Sequence, residues 1–260
     1  MTLERYADIA LAVAVEAGRL AQSGFRTRMR VTEKAARDLV TEFDLSAERL
    51  IRARLTALTP DIPVVGEEEG GESSGDRLWL CDPIDGTTNY AHGHPFWCVS
   101  IGLVQGGHPL VGAVVAPALD TRWVGYSGGP ALRNGERCRV SSTETLEQAL
   151  LATGFPRDRS KEPDSNLATF VRVKKSCQGV RRCGAAAIDL CLVADGTYDG
   201  YWERKLAGWD VAGGCAIVLA AGGRLSHLNG GQLHFGDGHL VATNGVLHQA
   251  LLALLGDLPA

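Results

Sequence analysis

The feature that most constrains the fold is a pair of near-continuous apolar runs, WCVSIGLV (97–104) and LVGAVVAP (110–117), joined by QGGHP. Short apolar runs rich in β-branched residues and separated by a Gly-Gly signal read as two strands of a hairpin. A chain that contains them must build a sheet and cover it. More strand signals surround the pair, at 62–65, 78–81 and 122–126, and in ALRNGERCRV, where Asn134-Gly135 is a strong type I′ turn signal. Ahead of them, MTLERYADIALAVAVEAGRL reads as an amphipathic or largely buried helix. Apolar residues from Leu45 to Leu58 then recur at helical spacing until Pro60.

The second half alternates. Strands are expected at 150–153, 179–182, 198–202, 224–228 and 240–242, and helices at 166–175, 185–194, 211–221 and 246–255. Gly222-Gly223 closes one of these helices. The pattern predicts an α+β protein: one domain over 1–260, with an antiparallel-rich half (about 1–145) and an α/β half (about 146–260). No linker, repeat or low-complexity tract interrupts it.

Composition narrows the function classes. The 260 residues are 45% hydrophobic and 22% charged, ordinary for a globular protein. A formal net charge of −4 leaves no large basic field for a nucleic-acid backbone. Short basic runs at Arg157, Arg159 and Lys161, and at Lys174-Lys175, read as solvated surface. The 7 cysteines form no C-x-x-C pair, which argues for reduced thiols in the cytoplasm over a disulfide frame or zinc site. The amino terminus carries early acids and its apolar run is too short for a bilayer, so neither a signal peptide nor a membrane span is expected.

The chemistry sits in the acids. Glu67 follows one predicted strand, Asp82 and Asp85 another, and Asp210 stands directly before a helix. Side chains at such junctions can converge on a common cleft. Taken singly, each has an ordinary reading: a turn for Asp-Pro-x-Asp-Gly, a solvated loop for Glu67–Glu69, a helix cap for Asp210. Taken together, they repel unless something positive lies between them. Mg²⁺ suits that place, because it takes oxygen ligands from a few carboxylates and from substrate phosphate. Pro83 holds Asp82 extended, and the turn beyond it lets Asp85 face the same ions. Ile84 can add a carbonyl oxygen, Gly86 allows close backbone approach, and Thr87-Thr88 can open a helix whose amides favour phosphate.

With their neighbours these segments resemble the inositol monophosphatase family. GEE (66–68), DPIDGTTN (82–89), and WDVAGG (209–214) continuing to AAGG (220–223) carry the resemblance. DLVTEFD, SIGLV, ATGFP, VRRCGAAAIDLCLVADG and VATN extend it along the chain. The resemblance implies a layered αβαβα sandwich of the sugar/inositol phosphatase type. It also implies two to three Mg²⁺ ions: one on Glu67, Asp82 and the Ile84 carbonyl, and one on Asp82, Asp85 and Asp210. A weaker third would use Glu67 and waters. Glu67 and Thr87 resemble the pair that positions the attacking water, with Asp44 polarising Thr87. Gly86 and Thr87 would hold the phosphate, and Asp85, Gly184, Ala186, Glu203 and Asp210 the substrate hydroxyls. The implied activity is hydrolysis of inositol monophosphate, with lithium sensitivity and a homodimeric assembly.

Other chemistries fit less well. An aspartyl nucleophile needs D-x-D, and Asp82 to Asp85 is D-x-x-D. No cysteine has an arginine six positions on, and no G-x-x-x-x-G-K-[ST] is present. A non-catalytic regulatory protein on the same fold would be expected to lose acids that are all retained here. Relatives that cleave histidinol phosphate, fructose 1,6-bisphosphate or a 3′-phosphonucleotide share the metal acids, so only the loops around the leaving alcohol separate them. Two positions depart from the family pattern. The front segment is KAARDLV, which makes Lys34 a weak site candidate, and Ala185 stands where Ser or Thr is common.

Overall fold

The structure, a computed structural model, describes residues 1–35, 38–71, 75–156, 166–235 and 238–256, with backbone only for 34, 35 and 38. Lys34 as a side chain and the run Arg157, Arg159, Lys161 lie outside the described residues. The chain opens with α1 (Leu3–Gly24), a hairpin of β1 (Val31–Ala35) and β2 (Asp38–Thr41), and α2 (Glu42–Leu58). Next come β3 (Val64–Gly66), β4 (Arg77–Asp85) and the short α3 (Thr87–Ala91). They are followed by β5 (Cys98–Gln105), β6 (His108–Ala116), β7 (Thr121–Tyr126), β8 (Ala131–Arg133) and β9 (Glu136–Cys138). The second half holds β10 (Leu150–Thr153), α4 (Leu167–Lys174), β11 (Gly179–Arg181), α5 (Ala186–Ala194) and β12 (Gly200–Arg204). It ends with α6 (Gly208–Ala220), β13 (Arg224–Ser226), β14 (His239–Thr243) and α7 (His248–Leu255).

Strands β3 to β9 lie in sequence order in a seven-stranded sheet, antiparallel except where β3 meets β4. The second sheet is mixed, ordered β11-β10-β12-β14-β13. Helices α1 and α2 cover one face of the first sheet, α5 and α6 fill the space between the sheets, and α4 and α7 cover the far face of the second. The result is the five-layer αβαβα sandwich. Each outer interlayer space has its own apolar core, and the largest core, around α5 and α6, joins both sheets. Because both faces of β5 and β6 are covered, their apolar runs need no polar alternation.

Two departures from the sequence expectations bear on the site. The strand expected at 78–81 continues through Pro83 to Asp85, and the one expected at 198–202 is displaced to 200–204, which places Glu203 on a strand. The β1–β2 hairpin had no strand signal in the sequence. The expected type I′ turn is present: Asn134 (φ 51°) and Gly135 (φ 88°) both lie left-handed between the paired Arg133 and Glu136.

Glycines set the spacing between layers. A Cβ on Gly112 of β6 would fall 1.9 Å from the Gly213 carbonyl oxygen, and one on Gly102 of β5 would fall 2.6 Å from the Gly213 amide. Helix α6 therefore rests backbone-to-backbone on the sheet, and its first turn reaches the strand ends where the acids lie.

Candidate active site

The carboxyl end of β4 builds the centre of the site. Asp82 pairs with Ser100 and Asp85 with Cys98, so the step from Asp82 to Asp85 is matched by a shorter step on β5. This is a bulge with one extra residue, and it sits at Pro83, which has no amide to give the ladder. On a regular strand, residues three apart face opposite sides. The bulge restores both aspartates to one side. The Asp82 carboxylate also accepts the Ile84 amide at 3.0 Å, which fixes the turn.

Glu67 enters from the loop after β3 and Asp210 from the first turn of α6. Carboxylate oxygens of Glu67, Asp82 and Asp210 lie within 4.8 Å of one another. The Asp210 side chain also reaches back to the Ala207 amide at 2.7 Å, so the acid caps its helix and faces the cluster at once. Asp85 lies beside this trio. Its Oδ2 accepts the Ala187 amide at 2.7 Å, at the start of α5. Burial and the neighbouring charges of Glu67, Asp85, Asp210 and Asp44 hold the Asp82 carboxyl well above the usual carboxylate range. Asp85 is raised by burial and by Asp210, against the Ala187 and Ala186 amides. These side chains offer only oxygen, are crowded, and repel one another, a donor set that fits a hard divalent cation. The Ile84 carbonyl lines the same cleft and adds a neutral oxygen.

Thr87 begins α3, with Gly86 at φ 92° as its cap. The Thr87 hydroxyl stands 3.2 Å from Asp44 Oδ1 and 3.0 Å from the Ile84 carbonyl, and its single proton serves one of them at a time. Asp44 is 1% exposed and is held from its other oxygen by the Thr41 hydroxyl (2.5 Å) and amide (2.8 Å). Burial lifts it to about 6, opposed by those hydrogen bonds.

A cleft of about 400 Å³ opens over these groups. It is lined by the acids, Thr87 and Gly86, and by Gly184, Ala186 and Glu203, together with Phe155 and Arg182. The Tyr201 hydroxyl donates to Glu203, whose carboxyl burial pushes up to about 7 while Tyr201 and Arg182 oppose the shift. The sequence candidates Glu67, Asp82, Ile84, Asp85, Gly86, Thr87, Gly184, Ala186, Glu203 and Asp210 thus all line one cleft. Asp44 stands behind Thr87.

The sequence matches the inositol monophosphatase family over residues 2–260. The chain belongs to the inositol monophosphatase family. It is 40% identical over 260 residues to the inositol-1-monophosphatase of a Synechocystis strain, covering 99% of this chain and 91% of that one. It is 41% identical over 230 residues to the Arabidopsis thaliana protein named phosphatase IMPL1, chloroplastic, covering 85% of this chain but 62% of that longer protein. Among solved structures, the inositol monophosphatase from Anabaena (Nostoc) superposes with a TM-score of 0.91 at 38% identity, covering 100% of this chain and 98% of that one.

Within this family site, several contributors escaped the sequence reading. The Asn89 side chain donates to the Phe96 carbonyl at 2.7 Å and the Cys183 carbonyl at 2.8 Å, tying the DPIDGTTN segment to the loop before α5. It lies inside DPIDGTTN, so the motif contained the signal. Leu39 on β2 lines the cleft, so the front hairpin reaches the site. Ala185 caps α5 with no side-chain hydrogen bond, the role a Ser or Thr there would fill. Asp189, buried on α5, feels Glu203 and Asp85 as repulsion and Arg182 as relief. No spacing rule in the sequence marks it.

Proposed function

We propose that the protein is a Mg²⁺-dependent phosphomonoesterase that releases phosphate from inositol monophosphate. The observation that carries the reading is the bulge at Pro83, which turns Asp82 and Asp85 to one side, next to Glu67 and Asp210. Glu67, Asp82 and the Ile84 carbonyl would hold one ion, and Asp82, Asp85 and Asp210 a second. Glu67 and waters would hold a weaker third. Bound there, Mg²⁺ supplies Lewis acidity: it lowers the pKa of water and neutralises charge on the departing alkoxide.

The chain's own groups do the rest. Ionised Asp44 accepts the Thr87 proton, which leaves the hydroxyl oxygen's lone pairs free to orient a water toward phosphorus, with Glu67 as its other anchor. The amides of Gly86 and Thr87 lie at a helix start, where backbone donors lack helical partners and suit phosphate oxygens. Glu203, Asp85, Asp210, the Gly184 carbonyl and the Ala186 amide would receive the hydroxyls of the polyol. No covalent enzyme intermediate is required.

The proposal extends to a lithium-sensitive, cytoplasmic homodimer. All seven cysteines are free thiols, which suits a reducing compartment. No helix among the described residues is long and apolar enough to cross a membrane.

The decisive experiment is a phosphate-release panel with Mg²⁺. It compares inositol 1-phosphate, histidinol phosphate, fructose 1,6-bisphosphate and 3′-phosphoadenosine 5′-phosphate. Inositol 1-phosphate is expected to give the highest kcat/KM, and Li⁺ to inhibit. A higher value for another substrate keeps the chemistry and changes the assignment. Full turnover in excess chelator removes the metal mechanism.

A further inference from the structure

One helix carries both supports of the water-positioning pair. Asp44, which takes Thr87, lies one turn before Glu48 on the same face of α2. Glu48 is 0% exposed and was not marked by any sequence motif. Its Oε2 accepts the Glu68 amide at 2.7 Å, and its Oε1 accepts the Glu69 amide at 2.9 Å. Arg52, one turn further, donates to Glu48 Oε1 at 2.8 Å, to the Val64 carbonyl at 2.7 Å and to the Gly70 carbonyl. Arg49 pairs with the Glu69 carboxylate at 2.8 Å.

The loop that carries Glu67 is therefore gripped along its length. The Gly66 amide donates to the Gly70 carbonyl at 2.9 Å, and the Glu67 amide to the Cys81 carbonyl at 3.2 Å. The next two amides end on Glu48. A Cβ on Gly66 would fall 2.3–2.6 Å from the Glu48 carboxyl atoms, so the backbone rests directly on that group. Burying a carboxylate is expensive, and an apolar residue of similar volume often serves stability as well or better. What an apolar residue cannot do is accept two adjacent amides and fix the direction in which Glu67 leaves the loop.

We propose that Glu48 is a positioning residue for phosphate release: through the Glu68 and Glu69 amides it aims Glu67 at Asp82 and Asp210. Helix α2 then sets both halves of the water site, Thr87 through Asp44 and Glu67 through Glu48. The inference rests on Glu67 being a metal ligand, as proposed above.

The test measures Mg²⁺ binding to the substrate-free protein by calorimetry, beside kcat, the KM for Mg²⁺ and the thermal midpoint. Partners that orient a metal ligand typically affect metal affinity or activity by about 10–100-fold. Glu48→Gln, which turns one amide acceptor into a donor, is expected to weaken Mg²⁺ binding by about tenfold or more. Glu48→Asp keeps the charge but not the reach, and is expected to weaken it as well. Leu55→Ala, in the buried face of the same helix, is expected to lower the thermal midpoint while leaving Mg²⁺ affinity unchanged. Wild-type affinity and kcat in Glu48→Gln would overturn the role, whatever its thermal midpoint. If Glu48→Gln does not fold, Arg52→Lys carries the test, since an ammonium cannot span Glu48, Val64 and Gly70 together; unchanged affinity there overturns the role too. Glu67→Gln separates the two readings. If it binds Mg²⁺ normally, the ligand assignment fails. If it loses Mg²⁺ and Glu48→Gln does not, only the positioning role fails.

Discussion

Two buried carboxylates of the cleft, Asp82 and Glu203, meet different neighbours. At Asp82, burial and the four neighbouring acids named above all push in one direction, against ionisation. At Glu203, a tyrosine hydroxyl and an arginine push back. The first arrangement suits cations from outside the chain; the second is compensated in part by its own neighbours. On the proposed function, chemistry belongs to the first group and recognition of the leaving alcohol to the second.

The largest test of that contrast is Asp210→Asn or Asp85→Asn, each of which removes a charge from the proposed cation site. A metal's contribution of several kcal/mol, at about 1.4 kcal/mol per tenfold, puts the expected fall in kcat at about 100-fold or more with the fold retained. Near-normal turnover in either variant breaks the comparison. Next is Glu203→Gln. Losing a charged hydrogen bond, about 1.5–3 kcal/mol, should lower kcat/KM for a polyol phosphate by about 10–100-fold. Hydrolysis of an unspecific aryl phosphate should change far less; an equal loss on both substrates would assign Glu203 to the chemistry instead.

The same variant has a stability signature. In the folded protein the Glu203 carboxyl is pushed up to about 7 by burial, above the ordinary value of 4.5, so the native state binds the extra proton between those values. The associated stabilisation is complete below about 4.5 and is lost as pH rises through about 7. Glu203→Gln should accordingly melt higher than the wild type at pH 8, with a smaller gap at pH 5. The smallest effect is expected for Arg182→Gln. Its exposed guanidinium is one of two brakes on the Glu203 shift, and exposed charge pairs are worth about 0–1 kcal/mol. The ionisation that governs polyol kcat/KM should move to higher pH by less than about one unit. A move to lower pH would show that Arg182 does not face Glu203 in solution.

The sequence revealed some of these groups and hid others. The acids of the proposed cation site lie in strings whose spacing has a physical meaning: DPID builds a bulge, and WDVAGG puts a helix start directly before glycines that fit against Gly102 and Gly112. The layers were legible for a similar reason, since apolar runs of strand length and helical periodicity separate cleanly. The β1–β2 hairpin was not, because VTEKA and DLVT alternate weakly and their pairing depends on what lies beneath. Asp189, Arg182 and Glu48 were hidden for another reason. A lone acid or base inside a helix or at a strand end looks like surface until packing decides which way it faces. Expecting the strand at 78–81 to stop before Pro83 was a sound local inference that the bulge overrode.

That bulge makes the active site a matter of parity. Deleting Ile84 would leave every acid in the protein in place, but it would remove a proposed carbonyl ligand and return the strand to a strict alternation. Two aspartates separated by one residue would still share a face, whereas one residue added to β5 between Cys98 and Ser100 would abolish the bulge and set them on opposite sides. The proposed ligand geometry depends on the one-residue mismatch between β4 and β5, so a single-codon length change in either strand should be felt more sharply than many changes of side chain.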